Sequence, residues 1–172
     1  MKKEIKIERV WAMPNKWTFK IKPIAALLKE EMEIIDGLLS AMQIWVDPFA
    51  GFNSRASCRN DIDPSTPVES HIDALKYLQS LASESADGVL YDPPYSITQA
   101  RMYGKKEFSS MKYWADCKNE IARSIKPGGK VICFGWNSMG LGKNRGFEMT
   151  RILLVPHGGS RNDTIVTIEI KR

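Results

Sequence analysis

Short apolar runs alternate with amphipathic stretches along this chain, and that alternation fixes the fold class it can adopt. Gly88-Val89-Leu90-Tyr91 and Lys130 to Gly135 are continuous apolar segments of strand length. Between them Ser110 to Ile125 places Met111, Trp114, Ile121 and Ile125 at helical spacing. A run apolar on every residue reads as a strand covered on both faces, and a strand followed by a helix and another strand builds a parallel pair. Pro23 to Leu39 repeats the helical pattern with Ile24, Leu27, Leu28, Ile34, Ile35 and Leu38, and Pro23 suits a first turn. Met42 to Val46 is a third strand, stopped by Asp47-Pro48; a fourth ends near Asp61, and Ala74 to Leu81 is helical. Phe147 to Val155 and Thr164 to Ile170 flank a Gly-rich connection and pair as an antiparallel hairpin. Lys126-Pro127-Gly128-Gly129 is a turn, and Glu4 to Val10 alternates with period two as a strand or extended arm. The expected fold is α/β, mostly parallel, with an antiparallel C-terminal hairpin.

With 172 residues, 43% of them hydrophobic, one ordinary core is expected, and a chain of this length buries roughly 70% of its unfolded surface. The three cysteines, Cys58, Cys117 and Cys133, form no CxxC or Cys/His pattern, so neither a disulfide framework nor a metal site is expected. The start of the chain has no apolar leader pattern and no run is long enough for a bilayer, which favours a cytoplasmic protein without a membrane partner. The net charge of +5 favours a polyanionic partner.

Ligands in such sheets bind beyond the carboxyl ends of the strands, where Asp47, Asp61, Asp73 and Asp92 fall. Val46-Asp47-Pro48-Phe49-Ala50-Gly51 sets an acid and a glycine where backbone approaches a ligand, and Asp61 suits a ribose diol. Asp92-Pro93-Pro94-Tyr95 is the most specific segment: two prolines remove N–H donors and freeze the backbone. A carboxylate, carbonyls and an aromatic ring are then aimed in fixed directions. Such a site can accept both hydrogens of a nucleobase exocyclic amine while Tyr95 stacks on the base.

Nearly the whole chain resembles the S-adenosylmethionine-dependent amino methyltransferases of DNA, particularly small phage and prophage N6-adenine enzymes. Asp47 to Gly51 is similar to the family's first cofactor motif, and Asp92 to Tyr95 to its catalytic DPPY. Thr18 to Pro23, with Phe19, Lys22 and Pro23, resembles the segment that packs on the cofactor's methionine end. The resemblance implies ribose binding by Asp61, cofactor-adenine contacts from Asp73 and Ala74, and a further cofactor contact from Asp92. It also implies a Rossmann-like class I methyltransferase fold and no metal. Phe52 to Asn60 is too short for the family's usual first helix, so a shortened cofactor loop is expected. No target-recognition domain follows DPPY, so residues 1–172 are expected to form one catalytic domain that reads sequence minimally, with a homodimer as one way to lengthen the footprint.

Expected nucleic-acid contacts are Arg101, Tyr103, Lys105 and Lys106 after DPPY, Trp136 at a strand end, Lys143 and Arg145 in the Gly-rich loop, and His157. The partner expected is DNA, as a duplex with a flipped adenine or as a single strand, in a bacterial host. An RNA amine methyltransferase and a non-catalytic nucleic-acid-binding subunit remain the alternatives.

Overall fold

A computed structural model describes residues 4–33, 42–95, 110–159 and 161–172. Its strands and helices are β1 (Lys6–Arg9), α1 (Lys22–Glu31), β2 (Trp45–Asp47), β3 (Cys58–Arg59), α2 (Ala74–Ser80), β4 (Ala86–Tyr91), α3 (Met111–Ser124), β5 (Ile125–Gly135), β6 (Phe147–Val155) and β7 (Thr164–Lys171). The strands form one sheet of seven in the order β1-β6-β7-β5-β4-β2-β3. All neighbouring pairs are parallel except β5–β7 and β6–β7, which gives the expected mixed sheet with a late antiparallel hairpin.

Period-two alternation assigns each strand residue to one of two cores. Val46, Val89, Tyr91, Val131 and Cys133 face α2 and α3 with Leu78, Cys117 and Ile121. Trp45, Leu90, Ile132, Phe134 and Leu153 face α1 with Ile24, Leu27 and Leu28. Burial on both faces explains why the central strands read as unbroken apolar runs. Gly88 is required for this packing, because a Cβ there would lie 2.5 Å from the Trp45 ring.

Several boundaries differ from the sequence reading. α1 ends at Glu31, and Glu33 has φ of 54°, a left-handed residue just past the helix end that stops the pattern early. Residues 34–39 of the expected helix lie outside the described residues. β2 begins at Trp45, with Met42 exposed, and β3 is only Cys58–Arg59. Lys126 to Gly129 does not separate α3 from β5. It is a bulge inside β5, flanked by the pairs Ala86↔Ile125 and Gly88↔Lys130.

The arm at the start of the chain becomes an edge strand. β1 pairs in parallel with β6, Lys6 opposite Arg151 and Arg9 opposite Leu154. Buried Arg151 fixes it there: Nε reaches Glu8 Oε2 at 2.5 Å, and Nη1 reaches Glu30 at 2.9 Å and Glu31 at 3.0 Å on α1. Among the described residues no helix is long and apolar enough to cross a membrane.

Candidate active site

The carboxyl ends of β2 and β4 open into a cavity of about 190 Å³. Its walls come from four segments: Lys16 to Phe19, Pro48 to Asn53, Asp61 with Ile62 and Ala74, and Asp92 to Tyr95. Both principal motifs of the sequence therefore meet at one opening.

The loop after β2 is built around Asp47. This carboxylate is fully buried, accepts the Phe49 amide at 3.0 Å through Oδ1, and accepts the Ser54 hydroxyl at 2.7 Å through Oδ2. Burial pushes its pKa up to about 7, against the lowering effect of those hydrogen bonds; the charges of Asp92 and Asp61 add to the rise. Asp47 is absent from the cavity wall and acts as a bracket for the loop, whose Pro48, Phe49, Ala50 and Gly51 do line it. Asp61 is a second bracket: Oδ2 accepts the Gly51 amide at 2.8 Å and Oδ1 the Asp63 amide at 2.9 Å. Unlike Asp47, it lines the cavity. Gly51 has φ of 52°, and a Cβ added there would meet no atom within 4 Å, so the backbone turns an open edge toward the cavity.

Asn60, which sequence reasoning misses, knits this region together. Buried, it donates to the carbonyls of Pro48 at 3.2 Å and Ile72 at 3.0 Å, and accepts the Ile72 amide at 3.1 Å. A lone Asn beside an Asp carries no pattern that foretells such a role. Asp73 is not on the cavity wall: it caps α2 by accepting the amides of Leu75 and Lys76, and takes the Tyr113 hydroxyl at 3.0 Å. Its neighbour Ala74 lines the cavity.

In the segment before α1, Phe19 reaches the cavity and packs on Phe134 with centroids 5.1 Å apart. Lys22 and Pro23 do not, because both lie in the first turn of α1, Lys22 pointing to solvent. Lys16, Trp17 and Thr18 take their place; Trp17 meets Phe52 edge-on at 5.2 Å, closing one rim. Lys16 and Trp17 precede the segment the motif resemblance singles out.

Asp92, Pro93, Pro94 and Tyr95 form the remaining wall. The Tyr95 hydroxyl donates to Asp92 Oδ1, and the Thr18 hydroxyl also hydrogen-bonds the carboxylate. Burial raises the Asp92 pKa to about 6, and the two hydroxyls restrain the rise by stabilising the ionised form. The Tyr95 hydroxyl is pushed far above its ordinary range by burial and then by the adjacent negative charge. Trp136 stands edge-on to Tyr95 at 5.7 Å, half exposed, and extends the aromatic wall.

The other expected nucleic-acid contacts fare differently. Arg101, Tyr103, Lys105 and Lys106 lie outside the described residues. Lys143 and Arg145 sit at the opposite end of the sheet from the cavity. The connection from β5 to β6 runs back down the sheet, held where Glu169 accepts the Leu141 and Gly142 amides, and the Gly146 carbonyl accepts the amide of Arg172 beyond β7. Arg145 is also tied to Asn119 Oδ1 and the Leu141 carbonyl. Sequence order places this loop at the strand end it follows, but its length lets it cross the whole sheet. His157 is 9% exposed with both ring nitrogens engaged, Nδ1 to the Ala12 carbonyl and Nε2 to the Thr164 hydroxyl, each at 2.8 Å. It clamps the N-terminal arm to the hairpin and presents no free nitrogen to a nucleic acid.

The fold is that of class I methyltransferases. No family model and no curated protein matches the chain, but solved structures do. TrmN from Thermus thermophilus superposes with a TM-score of 0.57 at 16% identity over 88% of this chain and 49% of its own. The 1,6-didemethyltoxoflavin-N1-methyltransferase of Burkholderia thailandensis, holding 1,6-didemethyltoxoflavin and S-adenosylhomocysteine, gives 0.59 at 13% over 87% and 77%. The N-methyltransferase NodS of Bradyrhizobium japonicum WM9 with S-adenosylhomocysteine gives 0.55 at 10% over 87% and 86%. The chain spans about half the length of TrmN.

Proposed function

We propose that this chain binds S-adenosylmethionine in the cavity beyond β2 and β4 and methylates the N6 amine of adenine in DNA. The observation that carries the reading is the Asp92 carboxylate, held at the cavity wall on the rigid Pro93-Pro94 turn and flanked by the ring of Tyr95. Two of the three structures named above are complexes with S-adenosylhomocysteine, the demethylated form of that cofactor.

The residues present suit the cofactor. Asp61 and Asp92 line the cavity alongside Lys16, so carboxylates outnumber ammonium groups on its wall, which suits a ligand carrying positive charge, as a sulfonium does. The open edge at Gly51 accepts close approach by a ligand. Asp61 supplies a carboxylate for a ribose diol, and Phe49, Phe52 and Ile62 supply apolar wall. When bound, S-adenosylmethionine supplies an electrophilic methyl group on sulfur.

This chain's own residues address the weak nucleophile. An exocyclic amine delocalises its lone pair into the ring, so two acceptors that grip its hydrogens bias nitrogen toward tetrahedral geometry. Asp92 and the Pro93 carbonyl are assigned that role. Tyr95 and Trp136 offer aromatic surfaces to a base taken out of its stack. The chemistry needs alignment and loss of a proton from the methylated nitrogen, for which solvent suffices. Incubation with isotopically labelled cofactor and DNA, followed by nucleoside mass spectrometry, tests the reading; labelled N6-methyldeoxyadenosine is expected.

A further inference from the structure

We propose that the outer edge of β1 pairs antiparallel with β1 of a second copy of this chain, joining the two sheets through a two-fold axis at Ile7. β1 is the end strand of the sheet, and no described strand covers its outer side. The Val10 and Ala12 amides bond inward to the carbonyls of Leu154 and Pro156. In a parallel pair, a residue's N–H and C=O point to the same side. Even-numbered residues therefore face β6, and the main-chain groups of Ile5, Ile7 and Arg9 point outward.

That parity selects the register. With the axis at Ile7, Ile7 and its copy exchange two hydrogen bonds, and Ile5 does the same with Arg9 of the other chain. Lys6 then stands opposite Glu8, twice, among the closer non-hydrogen-bonded pairs. Shifting the axis to Lys6 or Glu8 puts like charges face to face, which destabilises a cross-strand pair. Lys6 and Glu8 share the sheet face that carries Arg151 and α1, so the new ion pairs extend a charge network already present. On the opposite face Ile7 is 63% and Ile5 39% exposed, and no described helix covers them. Pairing brings Ile7 against its copy and removes apolar surface from water. The interface is small, which places the dimer in the weak class.

The proposal is independent of the methyl-transfer reading and is tested by sedimentation equilibrium of the full chain across a concentration series. A reversible, concentration-dependent monomer–dimer equilibrium is expected, weak because the interface is small. Ile7→Pro removes only an outward N–H, which an edge strand tolerates, so the fold survives and the dimer is lost. Lys6→Glu, which leaves the Glu8–Arg151 bond in place, should weaken self-association at least about tenfold by setting carboxylates against each other across the strands, whereas Lys6→Arg, which keeps the charge, should retain it. Circular dichroism confirms that each variant is folded, and should Ile7→Pro unfold, the two Lys6 variants decide. A wild-type chain that stays monomeric throughout overturns the proposal. So does a dimer indifferent to both Ile7→Pro and Lys6→Glu, or one lost with Lys6→Arg.

Discussion

Tyr95 donates its phenolic hydrogen to Asp92 across the Pro93-Pro94 turn, so the acid assigned to the substrate amine is already engaged within the protein. In the proposed reaction the target base would have to share or displace that hydroxyl. The ionised carboxylate is the stronger acceptor, and protonation turns one Asp92 oxygen into a donor, so activity should fall as pH drops through about 6. Because the hydroxyl stabilises the ionised form, Tyr95→Phe should move this acid limb to higher pH. Asp92→Ala should lower turnover at least about a hundredfold, the scale of removing one preorganised polar group that touches the reacting atoms. Cofactor affinity should fall far less than turnover, because Asp61 and the loop after β2 keep the rest of the cavity wall. Rates across a pH series, with calorimetry on the same variants, check all three outcomes.

Asp47 is expected to shape stability instead of chemistry. Its folded pKa of about 7 lies above the unfolded value of about 3.9. The folded state thus holds the proton more tightly between those limits, and stability declines as pH rises from about 4 to 7. Asp47→Asn keeps an acceptor for the Phe49 amide and removes the buried ionisation. Its thermal midpoint should vary less over that window and should equal or exceed the parent's at pH 8, as read by thermal melts.

Cofactor affinity should depend on Asp61 through two routes, its carboxylate on the cavity wall and its grip on the Gly51 amide. Asp61→Ala should weaken S-adenosylmethionine by roughly ten- to a hundredfold, the cost of removing a charged hydrogen-bond acceptor. Gly51→Ala meets no neighbouring protein atom, so its cost to folding is conformational, about 1–2 kcal/mol for a left-handed non-glycine residue, while its added methyl stands on the edge a ligand would approach and should weaken cofactor binding too. Calorimetric titration separates the two variants. Parent-like binding by both would remove this loop from the cofactor site.

The placement of Lys143 makes a prediction opposite to its sequence reading. Exposed at the far end of the sheet, it should contribute nothing to nucleic-acid binding. Lys143→Ala should leave the slope of log affinity against log salt unchanged, whereas removing a cation that neutralises a phosphate flattens that slope by about 0.9 on duplex DNA. Fluorescence anisotropy across a salt series reads this directly.

What the sequence disclosed followed from how local the physics was. Central strands such as Val89 to Tyr91 and Val131 to Phe134 were legible because burial on both faces writes an unbroken apolar run. DPPY was legible because two prolines constrain the backbone wherever they occur. Long-range partners were not. Nothing near Lys6 announces that Arg151 will hold β1 at the sheet edge, and nothing near His157 announces Ala12 and Thr164 as its partners. Acids at strand ends were legible as a group, but not which of them faces the cavity: Asp61 and Asp92 do, whereas Asp47 and Asp73 spend their oxygens on loop or helix amides and on the hydroxyls of Ser54 and Tyr113. Thr18 falls in the segment that the resemblance sets against the cofactor, but its hydrogen bond to the Asp92 carboxylate joins residues far apart in the chain and has no local signal.

The central claim is transfer of a methyl group to the N6 amine of adenine at Asp92. Its most direct test is nucleoside mass spectrometry after incubating the protein with methyl-labelled S-adenosylmethionine and, in parallel, a DNA oligonucleotide and its RNA counterpart. Labelled N6-methyldeoxyadenosine from the DNA, absent with Asp92→Ala, is the predicted result. Label on a cytosine, label confined to the RNA, or equal labelling by Asp92→Ala would contradict it.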